Sequence, residues 1–274
     1  MTLNIAHRGG GALRPENSLA AFRNAVALGA DGAELDVQLS ADGVAVVHHD
    51  LRLNPGYARK DGQWLETALP RIKDLPLAEL RRFDIGRARP GSAYAAAHPL
   101  QAAADGERIP TLEEVVTLAK AAPDFRLLVE LKCDLSADSA DPVALADAAL
   151  AVVEGAGFLS RAVFVGFDWR ALARVKQKQP KVEIWCTTDE KIAGDAGLFG
   201  IVTGMGAAGW FPHFVSLTDD AAALARSYGL KLAAWTVNDE NEMRRLLALG
   251  VDAICTDRPD ILKGLMPHKG GSGF

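Results

Sequence analysis

Short apolar runs alternate with longer helical patterns along most of this chain of 274 residues, and no other feature limits the fold as strongly. The first apolar run covers residues 3–6. A helical pattern follows it, with Asn17 or Ser18 able to cap the helix and Gly29 able to end it. Strand–helix alternation over this length predicts a parallel sheet joined by right-handed crossovers. One barrel of about 250 residues fits the chain.

The strand candidates number nine, one more than a barrel of eight strands requires. The candidate 214–217 has the weakest strand pattern. The turn 40–43, which joins the candidates 33–39 and 44–48, is too short to contain a helix. Those two strands either form an antiparallel hairpin, or the chain between them descends in extended form and one crossover helix is missing; we expect the second, because it places both strand ends at one rim. The candidates are 3–6, 33–39, 44–48, 125–131, 162–165, 182–185, 214–217, 231–237 and 253–255.

The segment from 51 to 109 does not follow the alternation and is rich in Arg, Pro, Gly and Ala. Because a structureless loop of this length is unusual in a compact domain, we expect a small inserted cap, called the insert below. The prediction is therefore a TIM-type (β/α)8 barrel over residues 1–268, with a small cap inserted after the third strand. We expect the tail 269–274 to be disordered.

Polar side chains cluster at the C-terminal ends of the predicted strands. In an α/β barrel the active site is assembled at that rim. A random scatter of polar residues would favour neither end, so this pattern predicts a site there. The residues concerned are His7, Arg8, Glu34, Asp36, His49, Asp50, Glu130, Lys132, Trp235 and Asp257.

Glu34 and Asp36 lie two residues apart on one strand, so both point to the same face, and Glu130 closes another strand. Three carboxylates aimed into one barrel mouth would repel each other, and a divalent cation resolves that repulsion. Oxygen ligands suit Mg²⁺ or Ca²⁺ better than zinc. The spacing equally allows Glu34 and Glu130 to pair with Arg8 and Lys132 as buried ion pairs.

The net charge of −5 disfavours a nucleic-acid partner, which would call for a basic stripe. The three cysteines, Cys133, Cys186 and Cys255, form no CxxC pair and predict buried small side chains. No apolar run reaches the roughly 18 residues of a membrane span, and no signal peptide precedes His7. We expect a cytoplasmic protein without a transmembrane segment; the oligomeric state stays open.

The ordered segments of the chain resemble the signature segments of glycerophosphodiester phosphodiesterases. Each segment alone is weak, but their order and spacing from residue 7 to residue 259 make a specific match. The segments are His7-Arg8-Gly9, Pro15-Glu16-Asn17-Ser18, Gly29-Ala30-Asp31, Glu34-Leu35-Asp36, His49-Asp50, Glu130-Leu131-Lys132, Trp235-Thr236-Val237-Asn238 and Thr256-Asp257-Arg258-Pro259.

This resemblance implies metal-dependent hydrolysis of a small-molecule glycerophosphodiester to sn-glycerol 3-phosphate and an alcohol. It implies a general base and a general acid at His7 and His49, with His49 preferred over His48 because it directly precedes Asp50. It further implies a Mg²⁺ or Ca²⁺ ion on Glu34, Asp36 and Glu130, phosphate contacts from Arg8 and Lys132, and an apolar wall beside the glycerol from Trp235.

Two other functions stay open at this point. A lyase that forms a cyclic phosphate would use the same two histidines. A catalytically silent phosphodiester binder would be expected to lack at least one of His7, His49 or a metal carboxylate, and all of these are present. Residues 51–57 depart from the Arg-Thr-Thr run that often follows the family's His-Asp segment, so the released alcohol is not fixed. We expect changes in the insert, for example at Tyr57 or Arg59, to shift the preference among head groups.

Overall fold

The computed structural model describes residues 1–66, 69–133, 136 and 138–267. Eight parallel strands in this part of the chain form a closed barrel, because β1 pairs with both β2 and β12. The barrel strands are β1, β2 and β7 to β12; the remaining four lie outside it. The strands are β1 (Leu3–Ala6), β2 (Gly32–Leu39), β3 (Ala45–Val47), β4 (Arg59–Lys60), β5 (Gln63–Trp64), β6 (Phe83–Asp84), β7 (Arg126–Leu131), β8 (Ala162–Gly166), β9 (Glu183–Thr188), β10 (Gly209–Pro212), β11 (Lys231–Ala234) and β12 (Ala253–Thr256).

Each barrel strand is followed by a helix, so the TIM-type barrel is confirmed. Helix ends follow local chemistry: Ser18 accepts the Ala21 N–H at the start of α1, and Thr111 with Glu114 forms a capping box on α4. The helices are α1 (Leu19–Leu28), α2 (Leu77–Leu80), α3 (Ala93–Ala97), α4 (Leu112–Ala121), α5 (Pro142–Gly155), α6 (Trp169–Lys178), α7 (Ala196–Gly204), α8 (Asp219–Ser227), α9 (Glu240–Leu249) and α10 (Pro259–Leu265).

The connection between β2 and β3 corrects our expectation of an extended run. The two strands are antiparallel, with Val37 opposite Val47 and Leu39 opposite Ala45. Gly43 takes the left-handed φ of +77° in the turn, which Asp-Gly turns of hairpins commonly need. The hairpin returns the chain along β2, and His48 donates its backbone N–H to the Asp36 carbonyl at 2.9 Å. His49 therefore still reaches the rim, although β3 is not a barrel strand.

One of the eight barrel strands, β10, is missing from the sequence prediction, and 214–217 proves not to be a strand. Residues Phe214–Ser216 form a 3-10 turn directly after β10. Glycine and proline at the two ends of β10 obscure its strand pattern. Gly209 is needed there, because a Cβ atom would lie 2.7 Å from the Trp185 ring. With β10 in place, no crossover helix is missing from the barrel.

Three apolar clusters fill the described part of the molecule. The largest lies between the barrel and its helices, and a second fills the barrel interior with side chains such as Leu128, Val163 and Phe211. The three cysteines are buried, as predicted. A third cluster, including Leu53, Ile72 and Leu80, belongs mainly to the insert. Burial of each such large side chain stabilises the fold by about 1.5–3 kcal/mol.

The insert contains the three-stranded antiparallel sheet β5-β4-β6 and the short helices α2 and α3. It lies between β3 and α4 along the chain. The expected tail 269–274 falls outside the described residues. Within the described ranges, no helix combines the length and the apolar character needed to cross a membrane.

Candidate active site

The polar residues singled out from the sequence come together where β1, β2, β7 and β12 end. The alternation along β2 turns Glu34 and Asp36 to one face, and both side chains are buried. The parallel register places Asp36 opposite Glu130 of β7. His7 and Arg8 occupy a tight 3-10 turn directly after β1. Gly9 ends this turn at φ +81°, where a Cβ atom would lie 2.7 Å from Ala21 of α1.

The three carboxylates of Glu34, Asp36 and Glu130, called the acidic cluster below, offer one oxygen each within 4.8 Å of one another. Glu34 is 1% exposed, and its Oε1 has no hydrogen-bond partner in the described part of the chain. Burial raises the pKa of Glu34, and repulsion by Asp36 and Glu130 raises it further. A buried, unpaired oxygen among three converging carboxylates fits a hard divalent cation.

Positive groups adjoin the acidic cluster but do not neutralise it fully. Lys132 Nζ lies 2.9 Å from Glu130 Oε1 and 3.7 Å from Asp36 Oδ1. Burial would lower the pKa of Lys132, but the charges of Glu130 and Asp36 outweigh it and raise the pKa. Glu34 accepts a hydrogen bond of 3.0 Å from the backbone N–H of Arg8, and no other described residue donates to its side chain. The alternative of simple ion pairs therefore applies to Glu130, which pairs with Lys132. It does not apply to Glu34, which among the residues that the structure describes forms no ion pair with the Arg8 side chain.

Asp36 is surrounded by positively charged and hydrogen-bonding groups. Burial would raise the pKa of Asp36, but His49, Arg8 and Lys132 outweigh it and hold the pKa well below its usual range. The Nδ2 group of Asn17 donates a hydrogen bond of 2.7 Å to Asp36 Oδ2. Asp36 is therefore ionised at neutral pH and ready to bind a cation.

His7 is held by Asp257 from the last barrel strand's loop. The distance from His7 Nδ1 to Asp257 Oδ1 is 2.7 Å, and Asn238 Nδ2 donates to the other carboxylate oxygen at 2.7 Å. Burial would raise the pKa of Asp257, yet His7 brings it down to about 2. His7 Nε2 lies 3.9 Å from Glu34 Oε2. The ring therefore presents Nε2 to the acidic cluster.

His49 is held by its neighbour in a similar way. The His49 Nδ1 atom lies 2.7 Å from Asp50 Oδ1, and Asn54 Nδ2 donates to Asp50 Oδ2 at 2.6 Å. Gln38 Nε2 donates to the backbone carbonyls of His48, His49 and Asp50, which fixes the chain here. Burial would raise the pKa of Asp50, but the hydrogen bond and charge of His49 contribute to a net lowering.

His48 is in a different environment from His49. It is buried, its Nδ1 lies 2.9 Å from the Asp50 carbonyl, and its Nε2 lies 3.3 Å from the Tyr57 hydroxyl. Burial lowers the pKa of His48. Both ring nitrogens therefore have partners inside the protein, whereas His49 borders a cavity.

That cavity has a volume of about 350 Å³ and is lined in part by His49, Glu130, Lys132 and Phe167. Phe167, which the sequence analysis missed, is 43% exposed and packs edge-on against Trp235 at 5.4 Å between ring centroids. Trp235 does not line this cavity itself; its Nε1 donates to the Phe211 carbonyl at 3.1 Å. An exposed phenylalanine right after a strand end was the signal that could have found Phe167.

The insert lines the cavity with its first residue, Leu51, and otherwise contributes supporting residues. Tyr57 is buried against His48, and Arg59 pairs with Asp84 and Asp105 inside the insert. Neither side chain lines the cavity. The expectation that changes at Tyr57 or Arg59 shift the head-group preference therefore finds no support in the geometry.

Comparison with known proteins agrees with this arrangement. The family model described as "Glycerophosphoryl diester phosphodiesterase family" matches residues 7–261, which includes every candidate site residue. The chain belongs to this family. It is thus a phosphoric diester hydrolase.

Individual relatives cover nearly the whole chain. A glycerophosphodiester phosphodiesterase from Caldanaerobacter subterraneus is 32% identical over 98% of this chain and 99% of its own. Among solved structures, a provisionally named glycerophosphoryl diester phosphodiesterase from Silicibacter pomeroyi superposes with a TM-score of 0.88 at 31% identity, covering 95% of this chain and 92% of that one. A phosphodiesterase from Oleispira antarctica, solved with its product sn-glycerol 3-phosphate, gives a TM-score of 0.76 at 26% identity, with 95% and 94% covered.

Proposed function

We propose that this family member hydrolyses glycerophosphodiesters to sn-glycerol 3-phosphate and an alcohol in a metal-dependent reaction. The observation that carries the proposal is the placement of two aspartate-held histidines beside a buried acidic cluster with an unpaired oxygen at Glu34. The product bound to the Oleispira antarctica relative supports the choice of substrate class. The cytoplasmic location expected from the sequence is kept as part of the proposal.

The histidines divide the proton transfers between them. A carboxylate at Nδ1 fixes the tautomer of each ring and leaves Nε2 free for the substrate. His7 Nε2 acts as the general base that removes a proton from the attacking nucleophile. His49 acts as the general acid that protonates the leaving alkoxide, and Asp50 holds its ring through Nδ1. The two rings belong to different loops and can therefore approach one phosphate from opposite sides, and in-line displacement requires the nucleophile and the leaving group to be opposed across phosphorus.

Glu34, Asp36 and Glu130 hold the cation, and their oxygen donors favour Mg²⁺ or Ca²⁺. When bound, such an ion polarises a phosphoryl oxygen and stabilises the charge that develops there. Arg8 and Lys132 contribute further positive charge to the same phosphate. Phe167 faces the cavity as an apolar wall for the glycerol moiety, and Trp235 supports that wall by packing edge-on against Phe167.

A substrate panel tests the proposal. Glycerophosphodiesters with choline, ethanolamine or glycerol as the alcohol are assayed for released sn-glycerol 3-phosphate in ¹⁸O-labelled water. Hydrolysis predicts one labelled oxygen in the product. An unlabelled cyclic phosphate as the end product would instead identify a lyase, and no turnover of any member of the panel would contradict the proposed substrate class.

A further inference from the structure

A tyrosine of the insert contacts the phosphate-binding side of the site through one carboxylate. Tyr94 lies on α3, and its hydroxyl is 2.9 Å from Glu16 Oε2, although 78 residues separate the two. Glu16 is 6% exposed. Its other oxygen, Oε1, accepts a hydrogen bond of 2.8 Å from Arg8 Nη1. Tyr94, Glu16 and Arg8 therefore form a chain of hydrogen bonds from the insert to the barrel rim.

The direction of these hydrogen bonds is set by Gln101. Its Nε2 group donates to the Tyr94 hydroxyl at 3.2 Å and to the Gly11 carbonyl at 2.7 Å. A tyrosine hydroxyl has a single proton, and since it accepts from Gln101, that proton is directed to Glu16. The Tyr94 ring is fixed as well, stacked on His98 at 4.2 Å and tilted against Tyr57 at 4.8 Å between centroids.

Among the described residues, Glu16 is the one that makes a hydrogen bond with the Arg8 side chain. Its backbone is in the left-handed region at φ +51°. Its Nε is buried without a hydrogen bond, although Asp36 Oδ2 lies 3.3 Å away. The bond to Glu16 therefore sets the direction of the guanidinium group.

We infer that Tyr94 is a positioning residue for phosphodiester binding, acting on Arg8 through Glu16. The inference rests on the proposed role of Arg8 in holding the phosphate. While Tyr94 occupies Oε2, Glu16 bonds Arg8 with one oxygen only. Without the Tyr94 hydroxyl, the buried Oε2 loses its partner, which is costly, and the carboxylate turns to bind Arg8 with both oxygens. Glu16 then competes with the substrate phosphate for the same guanidinium donors.

The test compares Tyr94→Phe with Tyr57→Phe, which removes a buried hydroxyl of the same insert from His48 instead of from Glu16. Binding of sn-glycerol 3-phosphate is measured by calorimetry, and KM and kcat are measured with a glycerophosphodiester. For Tyr94→Phe we expect both the Kd and the KM to rise about tenfold, which corresponds to the loss of one hydrogen bond to a charged group. The kcat should stay within about twofold of wild type. Tyr57→Phe should leave Kd and KM within about twofold of wild type.

A double-mutant cycle with Arg8→Ala identifies the route of the effect. If Tyr94 acts through Arg8, Tyr94→Phe should change the Kd by less than about twofold once Arg8 is absent. An undiminished effect in that background would overturn the inference. If Tyr94→Phe folds poorly, Gln101→Ala provides a second variant. It should raise the KM about threefold and leave kcat nearly unchanged.

The outcomes separate this inference from the function on which it rests. Weakened binding in Arg8→Ala together with unchanged binding in Tyr94→Phe overturns the role of Tyr94 alone. Unchanged binding in Arg8→Ala removes the phosphate role of Arg8, and the positioning role of Tyr94 is rejected with it.

Discussion

The acidic cluster and the two histidine–aspartate pairs lie at one rim, yet their hydrogen bonding differs. In the pairs, each aspartate has both carboxylate oxygens bonded, to His7 and Asn238 at Asp257 and to His49 and Asn54 at Asp50. In the acidic cluster, Glu34 is more deeply buried than either aspartate, yet one of its oxygens has no hydrogen-bond partner among the described residues.

The histidine–aspartate pairs and the acidic cluster are therefore prepared for the reaction in different ways. The histidine–aspartate pairs are complete without any ligand, so their geometry is preorganised for proton transfer. The acidic cluster is incomplete, since buried polar atoms normally have partners. A cation completes it. Removing charge from the cluster should therefore abolish ion binding while sparing the fold, whereas breaking a pair should spare ion binding.

The largest effect is expected for Glu34→Gln. This change keeps the size of the side chain and removes a negative charge that Asp36 and Glu130 repel, so the protein should unfold at the same or a higher temperature. Ion binding should be lost, and kcat/KM should fall about 10⁴-fold, since a metal ion supplies several kcal/mol of transition-state stabilisation. Calorimetric titration with Mg²⁺ or Ca²⁺ and thermal unfolding check both parts.

Glu183→Gln is the matched control for this variant. Glu183 begins β9 at the opposite end of the barrel, where it bonds Trp185 and Lys231. The control should keep ion binding and activity. Ion binding of wild-type strength in Glu34→Gln would refute the assignment of the acidic cluster.

The histidines come next in expected effect. His7→Ala or His49→Ala should each reduce turnover roughly 10²–10⁴-fold, the usual range for one general acid or base, while the affinity for the ion stays unchanged. The double variant should lose much less than the product of the two losses, because the groups act together. Single-turnover and steady-state assays on a glycerophosphodiester provide the measurement.

A p-nitrophenyl phosphodiester distinguishes the two roles, because its acidic leaving group needs little protonation. It should rescue His49→Ala and leave His7→Ala impaired. Rescue of His7→Ala instead would exchange the assigned acid and base. Near wild-type rates of both variants on a glycerophosphodiester would rule out the two-histidine mechanism.

A smaller effect is expected on stability at acid pH. Asp257 has a pKa of about 2 in the folded protein, against 3.8 as its ordinary value. The folded state therefore holds this carboxylate ionised, and its contribution of about 2 kcal/mol is present above pH 3.8 and lost as the pH falls towards 2. Asp257→Asn should flatten the fall in the free energy of unfolding over that interval, measured by urea unfolding. An unchanged pH profile would show that the pair with His7 does not stabilise the fold.

The barrel and the residues at its rim could be predicted because the signals are local. Alternation along a strand puts Glu34 and Asp36 on one face, and each strand end is marked by a polar residue such as His7 or Lys132. β10 was missed because a short strand bounded by glycine and proline lacks the usual pattern. The Asp42-Gly43 turn carries a hairpin signal. The expectation that both strand ends lie at one rim favoured an extended connection instead, and this was wrong.

The contacts of the insert could not be predicted. Tyr94 belongs to a segment without periodic pattern, and it bonds Glu16, which lies outside that segment. Nothing in the residue types reveals that a tyrosine lies against a carboxylate 78 positions away. Long-range hydrogen bonds of this kind depend on the packing of the insert against the barrel, which the sequence does not express locally.

The most direct test of the metal-dependent mechanism is a titration of metal-free protein. Protein stripped with EDTA and shown to be free of metal is titrated with Mg²⁺ or Ca²⁺, while ion binding and the release of sn-glycerol 3-phosphate are followed in parallel. The account predicts no turnover at the start and activity that rises in proportion to the occupancy of one class of site. Full turnover by the metal-free protein in excess EDTA would contradict it.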